Sequence, residues 1–279
     1  MKRLAVFALA ALAGVIAWAD WPSTGGGPSR DGWAKSETAL SPQSAKDIKL
    51  IYTHKFDNTA KGENALGTPL VLSRIVTWKG FKALLYVGSS NDTVYAIDSE
   101  LGREFSRSPL GSKEKVAASA STLACPGGLT ADITLPGRIN AGGRGRAGGG
   151  AARGGSGPAR GGGGGGGGRR VRPRGPQPSV YALGSDGWLR WVREQDGDTA
   201  VEPAAKFVPA NSNVSGLAVD NSVVYAATQN DCGGPNALYA MDISVPAEGA
   251  DTPPKTVKSL PTNGTGFAGT GGIAVGNDG

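Results

Sequence analysis

Side chains that commonly perform acid–base or nucleophilic chemistry are scarce in this 279-residue sequence. His54 is the only histidine, and no serine or cysteine lies in a nucleophile motif, so a catalytic dyad or triad is not predicted. We expect His54 on the surface of a strand. Residues 264–269, GTGFAG, match the G-x-G-x-x-G pattern, but a dinucleotide site also needs a preceding strand and a following helix. A strand pattern follows them instead, which disfavours nucleotide binding.

Acidic and amide residues occur mainly in short polar stretches between apolar runs. A calcium ion needs six or more converging oxygen ligands, and no such set can be assigned here. We therefore interpret these residues as turn formers and predict no metal site. They are Asn91, Asp92, Asp186, Asp231 and Asp278.

Two cysteines, Cys125 and Cys232, lie far apart in the chain and lack metal-site spacing. In an oxidising compartment an even number of cysteines permits one structural disulfide. A bridge closing so long a loop would stabilise the fold by about 4 to 5 kcal/mol in the chain-entropy model. Two separately buried thiols are the alternative, and the sequence leaves both open.

Positive charge is concentrated in one glycine-rich stretch, residues 138–174, which contains nine arginines. Arginine–glycine segments can bind RNA or single strands through phosphate contacts and stacking. This one contains no aromatic residue and separates two repeats, and a flexible loop tolerates such lengthening. We interpret residues 142–175 as a disordered Gly/Arg-rich insertion, and nucleic-acid binding is disfavoured. The nine residues are Arg138, Arg144, Arg146, Arg153, Arg160, Arg169, Arg170, Arg172 and Arg174.

The first nineteen residues are typical of an export signal. Lys2 and Arg3 precede an apolar run that ends at Ile16, and Ala17-Trp18-Ala19 is a small-residue cleavage site. The apolar run is too short to cross a bilayer, so no transmembrane segment is predicted. We expect a periplasmic or secreted protein that begins at Asp20, with a retained anchor as the alternative. Without this segment and the nine arginines, the net charge falls from +6 to about −5.

Short apolar runs and turns recur along the chain. Residues 84–88 and 93–98 flank a polar turn, and a third strand begins near Arg103. Similar units return at 180–197 and 223–242, and in part at 271–279. Tyr181 and Tyr225 are about 44 positions apart and Ala274 follows by about 49, close to the period of a four-stranded propeller blade. Residues 48–56 are predicted to form an edge strand, and residues 41–50 could form a turn or two of helix.

The predicted fold is all-β, a β-propeller of four-stranded antiparallel blades. The chain provides about four to five blades, so the propeller is expected to be incomplete. The predicted domains are a signal peptide (1–19) and a propeller (20–279) interrupted by residues 142–175. The sequence stops at a hairpin turn signal, residues 277–279, so we expect an N-terminal portion with an open edge that could pair with a partner strand.

The stretch LLYVGSSNDTVYAIDSELGREF resembles the repeat of pyrroloquinoline-quinone (PQQ)-type propellers, or quinoproteins. The opening segment, with Trp21, Gly26, Ser41, Pro42 and Leu50, is similar to that of the same class. Phe105 replaces the docking tryptophan of the repeat, and Arg193 replaces its aspartate in the second unit. The residues interpreted as the structural repeat motif are Tyr86, Gly88, Tyr95, Ala96, Asp98, Gly102, Tyr181, Gly184, Tyr225, Tyr239 and Asp242.

The resemblance implies PQQ with calcium as a cofactor, whereas the residues themselves assign none. Quinone-dependent dehydrogenases of this class carry an adjacent cysteine pair, which the sequence lacks. We therefore expect an exported binding or scaffolding module without a catalytic site in this portion, with a protein or small-molecule ligand on the propeller face. The alternatives are the N-terminal part of a PQQ-dependent alcohol or sugar dehydrogenase and an Arg-Gly-rich nucleic-acid binder.

Overall fold

The computed structural model describes residues 20–34, 40–56, 66–111, 125, 133–135, 178–199, 203–244, 256–262, 264, 266 and 272–276. The predicted signal peptide, the Gly/Arg-rich insertion and the terminal turn at 277–279 lie outside these residues. Within them, no helix has both the length and the apolar character needed to cross a membrane.

The described chain is built from antiparallel strands in three sheets, so the all-β prediction is confirmed. The first sheet contains β1 (Leu70–Thr77), β2 (Gly80–Ser89), β3 (Thr93–Asp98) and β4 (Arg103–Pro109), in that order. The second contains β5 (Ser179–Leu183), β6 (Trp188–Arg193) and β7 (Ala205–Lys206). The third contains β8 (Asn213–Asp220), β9 (Val223–Gln229), β10 (Ala237–Asp242) and β11 (Val257–Pro261). A short helix, α1 (Pro42–Ala45), begins after the capping residue Ser41.

Turn chemistry explains why the chain reverses where it does. Asp92 has a φ of 54°, in the left-handed region that aspartate tolerates better than most residues. It closes the β2–β3 hairpin, in which Leu84 pairs with Asp98 and Ser89 with Thr93. Asn91, Asp186 and Asp231 also lie in turns, which confirms their interpretation as turn formers.

The repeat units occupy equivalent places in the sheets. Tyr86 and Tyr225 lie on the second strand of a four-stranded sheet. In the second sheet Thr134 bridges to Tyr181 through two backbone hydrogen bonds of 3.0 and 2.7 Å. Residues 133–135 therefore flank β5 as a first strand would. The expected equivalence of residues 84–105 and 223–242 as antiparallel sheets is confirmed.

The second sheet is sandwiched between the other two. Val180, Ala182 and Val192 belong to a buried cluster shared with the first sheet. Leu189 and Trp191, from the opposite face, belong to a cluster shared with the third sheet. Because successive strand residues point to opposite faces, this alternation covers both sides of the second sheet. The three sheets therefore form a stack.

The opening segment crosses the first strands of the three sheets. Trp21 forms a bridge with Val71 of β1, and the carbonyl of Pro22 accepts a hydrogen bond from the backbone N–H of Leu135 at 3.0 Å. Further along, the Arg30 guanidinium donates to the carbonyl of Leu217 in β8 at 3.0 Å. Residues 20–30 therefore connect the three sheets along one edge of the stack.

A disulfide joins Cys125, between β4 and β5, to Cys232, between β9 and β10. Their Cα atoms are 5.5 Å apart, within the range that an unforced bridge requires. The bridge ties the connection between the first two sheets to a turn of the third sheet.

The prediction of a strand in residues 48–56 is wrong. These residues form no ladder in the structure. Their side chains still alternate, because Tyr52, His54 and Phe56 are half-buried while Ile51, Thr53 and Lys55 are exposed. The segment is held on the first sheet by side-chain contacts instead of backbone pairing.

Candidate ligand pocket on the first sheet

Tyr86 and Tyr181 occupy equivalent positions on the second strands of their sheets, with residues 133–135 counted as the first strand of the second sheet. Tyr86 belongs to the buried cluster between the first and second sheets, and its hydroxyl donates to the carbonyl of Glu194 at 2.9 Å. Tyr181 packs against the cluster between the second and third sheets. Near the Tyr86 contact, the hydroxyl of Ser108 donates to the carbonyl of Gly197 at 2.7 Å. At this part of the interface, two side-chain donors of the first sheet meet two backbone acceptors that follow β6.

On the first sheet, the equivalent pair of carbonyl groups is contacted by a different segment, residues 52–54. Ser99 and Gly102 follow Tyr86 by the same numbers of residues as Glu194 and Gly197 follow Tyr181. The hydroxyl of Tyr52 donates to the carbonyl of Ser99 at 3.0 Å, and Nδ1 of His54 lies 3.3 Å from the carbonyl oxygen of Gly102. Because a carbonyl can only accept, Nδ1 carries the hydrogen. Tyr52 and His54 therefore contact the first sheet as Tyr86 and Ser108 of the first sheet contact the second.

A pocket of about 270 Å³ lies between this segment and the first sheet. Its floor is formed by Leu85, Val87 and Ile97, which we call the floor trio. The trio occupies the same repeat positions as Val180, Ala182 and Val192 in the second sheet, and as Val224, Ala226 and Met241 in the third. The remaining lining residues are Tyr52, His54, Phe56, Leu66, Gly67 and Pro69.

His54 lines this pocket and does not lie on a strand, so its expected position was wrong. Its ring contacts Phe56 edge to face, with centroids 4.9 Å apart. Phe56 in turn contacts Tyr95 of β3 at 5.1 Å. Among the described residues, no group of three or more histidine, cysteine, aspartate or glutamate side chains could hold a metal ion. The surroundings of His54 are suited to binding an apolar group.

Close packing around Gly102 positions Tyr52. Gly102 has a φ of +65°, and a Cβ atom there would lie 2.5 Å from the Tyr52 ring. We expect Gly102→Ala to displace that ring and lower the free energy of unfolding by about 2 to 3 kcal/mol, measured by urea denaturation. Gly111→Ala is the matched control, because Gly111 has the same φ and open space around the added methyl group. It should cost only about 1 kcal/mol, and equal costs for the two variants would contradict the packing role.

A polar cluster joins the turns of the first and second sheets. Asp92 accepts hydrogen bonds from the backbone N–H of Ser185 at 2.8 Å and from the Ser185 hydroxyl. Asp186 forms a buried ion pair with Arg190 at 2.6 Å, and Arg190 also donates to the carbonyl of Gly111 at 2.7 Å. Burial raises the pKa of Asp92, although its hydrogen bonds with Ser185 oppose the change. These groups are engaged with one another across the junction, so we assign them a structural role.

The two repeat aspartates end the third strands of their sheets. The Asp98 carboxylate accepts from the backbone N–H groups of Glu100 and Leu101 at 3.1 and 3.2 Å. That of Asp242 accepts from the N–H of Ser244 at 2.8 Å. These aspartates therefore stabilise turns. Of the other motif residues, Gly88, Ala96 and Tyr239 lie in strands, Gly184 lies just after β5, and Tyr225 lies on the face of β9 opposite to Val224 and Ala226.

The Asp98 ion pair predicts a dependence of stability on acid pH. The hydrogen bond from Lys82, 2.8 Å away, lowers the pKa of Asp98. A lowered folded-state pKa stabilises the fold above the unfolded-state value, about 3.9, and this contribution is lost as the pH falls through the lowered value. Asp98→Asn should reduce the free energy of unfolding by about 0.5 to 1 kcal/mol at pH 7. The difference from the unmodified protein should shrink below about pH 4.

Urea titrations at several pH values measure this difference. Glu100→Gln is the control, because it removes a neighbouring exposed carboxylate while the Asp98 pair remains. A difference for Asp98→Asn that stayed constant from pH 7 to pH 2 would contradict the assignment.

Comparison with protein families found no family model that matches this chain, and a search of curated proteins found no significant match. The quinoprotein resemblance therefore depends on the sequence motifs alone.

Sequence reasoning missed most of the pocket. Tyr52, Phe56, Leu66 and Pro69 were not identified as site residues. A signal was present, because Leu50-Ile51-Tyr52 repeats the pattern of two apolar residues and a tyrosine seen in Leu84-Leu85-Tyr86. This shared pattern indicates that Tyr52 occupies a position like that of Tyr86, whose hydroxyl donates to the neighbouring sheet.

Proposed function

We propose that the protein is an exported β-propeller of the quinoprotein-like repeat class that acts as a binding or scaffolding module. The proposal is supported chiefly by the like orientation of the stacked sheets. The trios of the second and third sheets pack against the preceding sheet, whereas Tyr86 and Tyr181 face the following sheet. Stacking that repeats in one sense generates a ring when the rotation between units closes.

The contacts of residues 50–56 extend this arrangement. Tyr52 and His54 make on the first sheet the hydrogen bonds that a preceding sheet would make. The segment therefore belongs, in our proposal, to the element that completes the stack next to the first sheet. Export is supported by the sequence of residues 1–19, and the disulfide is consistent with an oxidising compartment.

A binding role agrees better with the described chemistry than a catalytic role. Asp92, Asp98 and Asp186 accept hydrogen bonds from backbone N–H groups or from arginine. His54 is surrounded by apolar and aromatic side chains. A largely apolar pocket with few polar groups is the usual form of a small-molecule site. The floor trio and its lining are therefore the best candidate for the ligand-binding surface.

Cofactor loading separates this proposal from a PQQ-dependent dehydrogenase. Purified full-length protein is incubated with PQQ and calcium, and its absorbance and dye-linked oxidation of ethanol and glucose are recorded. We expect no turnover above that of heat-denatured protein. Stoichiometric quinone uptake together with alcohol or sugar oxidation would overturn the proposal in favour of the dehydrogenase.

Deletion of residues 142–175 tests the nucleic-acid alternative. Our proposal predicts no tight binding of a single-stranded oligonucleotide at 150 mM salt by either the full chain or the deletion variant. Tight binding by the full chain that disappears on deletion would identify the arginine-rich segment as a nucleic-acid binder.

A further inference from the structure

The floor trio of the first sheet is covered differently from its counterparts. In the second sheet, Val180, Ala182 and Val192 are packed under side chains of the first sheet. In the third sheet, Val224, Ala226 and Met241 are packed under side chains of the second. In the first sheet, Leu85, Val87 and Ile97 line the pocket of about 270 Å³. The positions that contact apolar side chains of a neighbouring sheet in the second and third sheets therefore line a pocket in the first sheet.

The polar groups beside the cavity already have partners. The carbonyl of Ser99 accepts from Tyr52, and that of Gly102 accepts from His54. None of the described lining residues is a lysine, arginine, aspartate or glutamate. A ligand would therefore gain little from a charge, and burying a charged group here without a partner would be costly.

The size and the rim of the pocket limit what can enter. A dry apolar cavity of roughly 150 Å³ can hold benzene, so 270 Å³ admits a larger ring system. Leu66, at the rim, is 41% exposed, and Tyr52, His54 and Phe56 are half-buried. The cavity is therefore bordered by side chains that can reach solvent, which provides a route of entry.

We propose that this pocket binds a small, uncharged, apolar ring compound of up to about two fused rings. The inference rests on the proposed binding role and names the ligand class for it. The aromatic side chains of Phe56 and Tyr52 and the aliphatic side chains of the floor trio supply the attraction, through dispersion and release of water from apolar surface.

Naphthalene is the probe, and 1-naphthoate is its charged counterpart with the same rings. Binding to the full chain at pH 8 is measured by naphthalene fluorescence and by ligand-observed NMR. We expect saturable naphthalene binding and at least tenfold weaker binding of 1-naphthoate. Absence of saturable naphthalene binding, or equal affinity for the two compounds, would overturn the proposal.

Filling the floor locates the site. Leu85→Phe adds a ring at the floor and should weaken naphthalene binding at least tenfold. Leu260→Phe is the matched control, because it makes the same change on exposed β11, and it should leave binding unchanged. Circular dichroism and thermal unfolding confirm that each variant is folded, and Val87→Phe replaces Leu85→Phe if the latter fails to fold. Unchanged binding in a folded floor variant would place the ligand elsewhere and refute the assignment.

Failure of this proposal can be distinguished from failure of the proposed function. The binding and scaffolding role is tested by cofactor loading and oligonucleotide binding, which do not involve naphthalene. A protein that takes up no naphthalene and shows no quinone turnover would retain the module assignment and lose only the ligand class.

Discussion

Removing the disulfide by the double substitution Cys125→Ala and Cys232→Ala is expected to lower the free energy of unfolding by about 4 to 5 kcal/mol. The reason is the length of the loop that the bridge closes, since the two cysteines are 107 positions apart. Without the bridge, the conformational entropy of the unfolded chain rises while that of the folded chain changes little, so unfolding becomes more favourable. The bridge also holds the β9–β10 turn of the third sheet to the connection that leads into the second sheet.

Urea denaturation with and without dithiothreitol measures the effect. The unmodified protein should unfold at a lower urea concentration when reduced. The double variant should have the same unfolding midpoint as the reduced protein, and dithiothreitol should not change it. An unmodified protein whose unfolding midpoint is the same in both conditions would show that the bridge does not contribute to stability.

Substituting Asp186 with alanine is expected to cost about 3 to 5 kcal/mol of unfolding free energy. The side chains of Asp186 and Arg190 are only 1% and 4% exposed, so the substitution leaves a buried guanidinium without its counter-charge. Arg190 also donates to the carbonyl of Gly111, which follows β4, the last strand of the first sheet. The loss should therefore loosen the junction between the first and second sheets.

The partly exposed pair of Arg193 and Asp196 provides the matched control. Their side chains are 21% and 35% exposed, so Asp196→Ala should cost less than about 1 kcal/mol. The double variant Asp186→Leu and Arg190→Met should recover part of the loss, because two apolar residues replace the buried charges. Urea denaturation compares the variants, and similar costs for Asp186→Ala and Asp196→Ala would show that burial does not control the energy of the pair.

The sheets could be predicted because their determinants are local. Alternating apolar residues and the turns at Asn91-Asp92 and Asp186 specify hairpins within one stretch of chain. The repeated tyrosines at 86, 181 and 225 also preserve their position on the second strand, so one recognised unit predicts the others.

Residues 48–56 show where sequence reasoning fails. The alternation correctly indicates which side chains are half-buried, because that property depends on the period of an extended chain. It does not indicate whether a ladder forms, because a ladder requires a partner strand from elsewhere in the chain. The pocket was missed for the same reason, since its walls come from Tyr52, Leu66 and the first sheet.

The polar junctions were equally inaccessible to a reading of local patterns. Asp92 and Asp186 were correctly interpreted as turn residues, yet nothing nearby in the sequence indicates that Asp92 meets Ser185 or that Arg190 reaches Gly111. The path of residues 20–30 across three sheets likewise depends on the stack being assembled first.

Hydrogen exchange of the intact protein, followed by mass spectrometry on peptides, tests the stacking of three like-oriented sheets most directly. Because the second sheet is covered on both faces, we expect the amides of β5 and β6 to exchange most slowly and those of exposed β11 to exchange much faster. Exchange of β5 and β6 as rapid as that of β11 would contradict a sheet buried between two others.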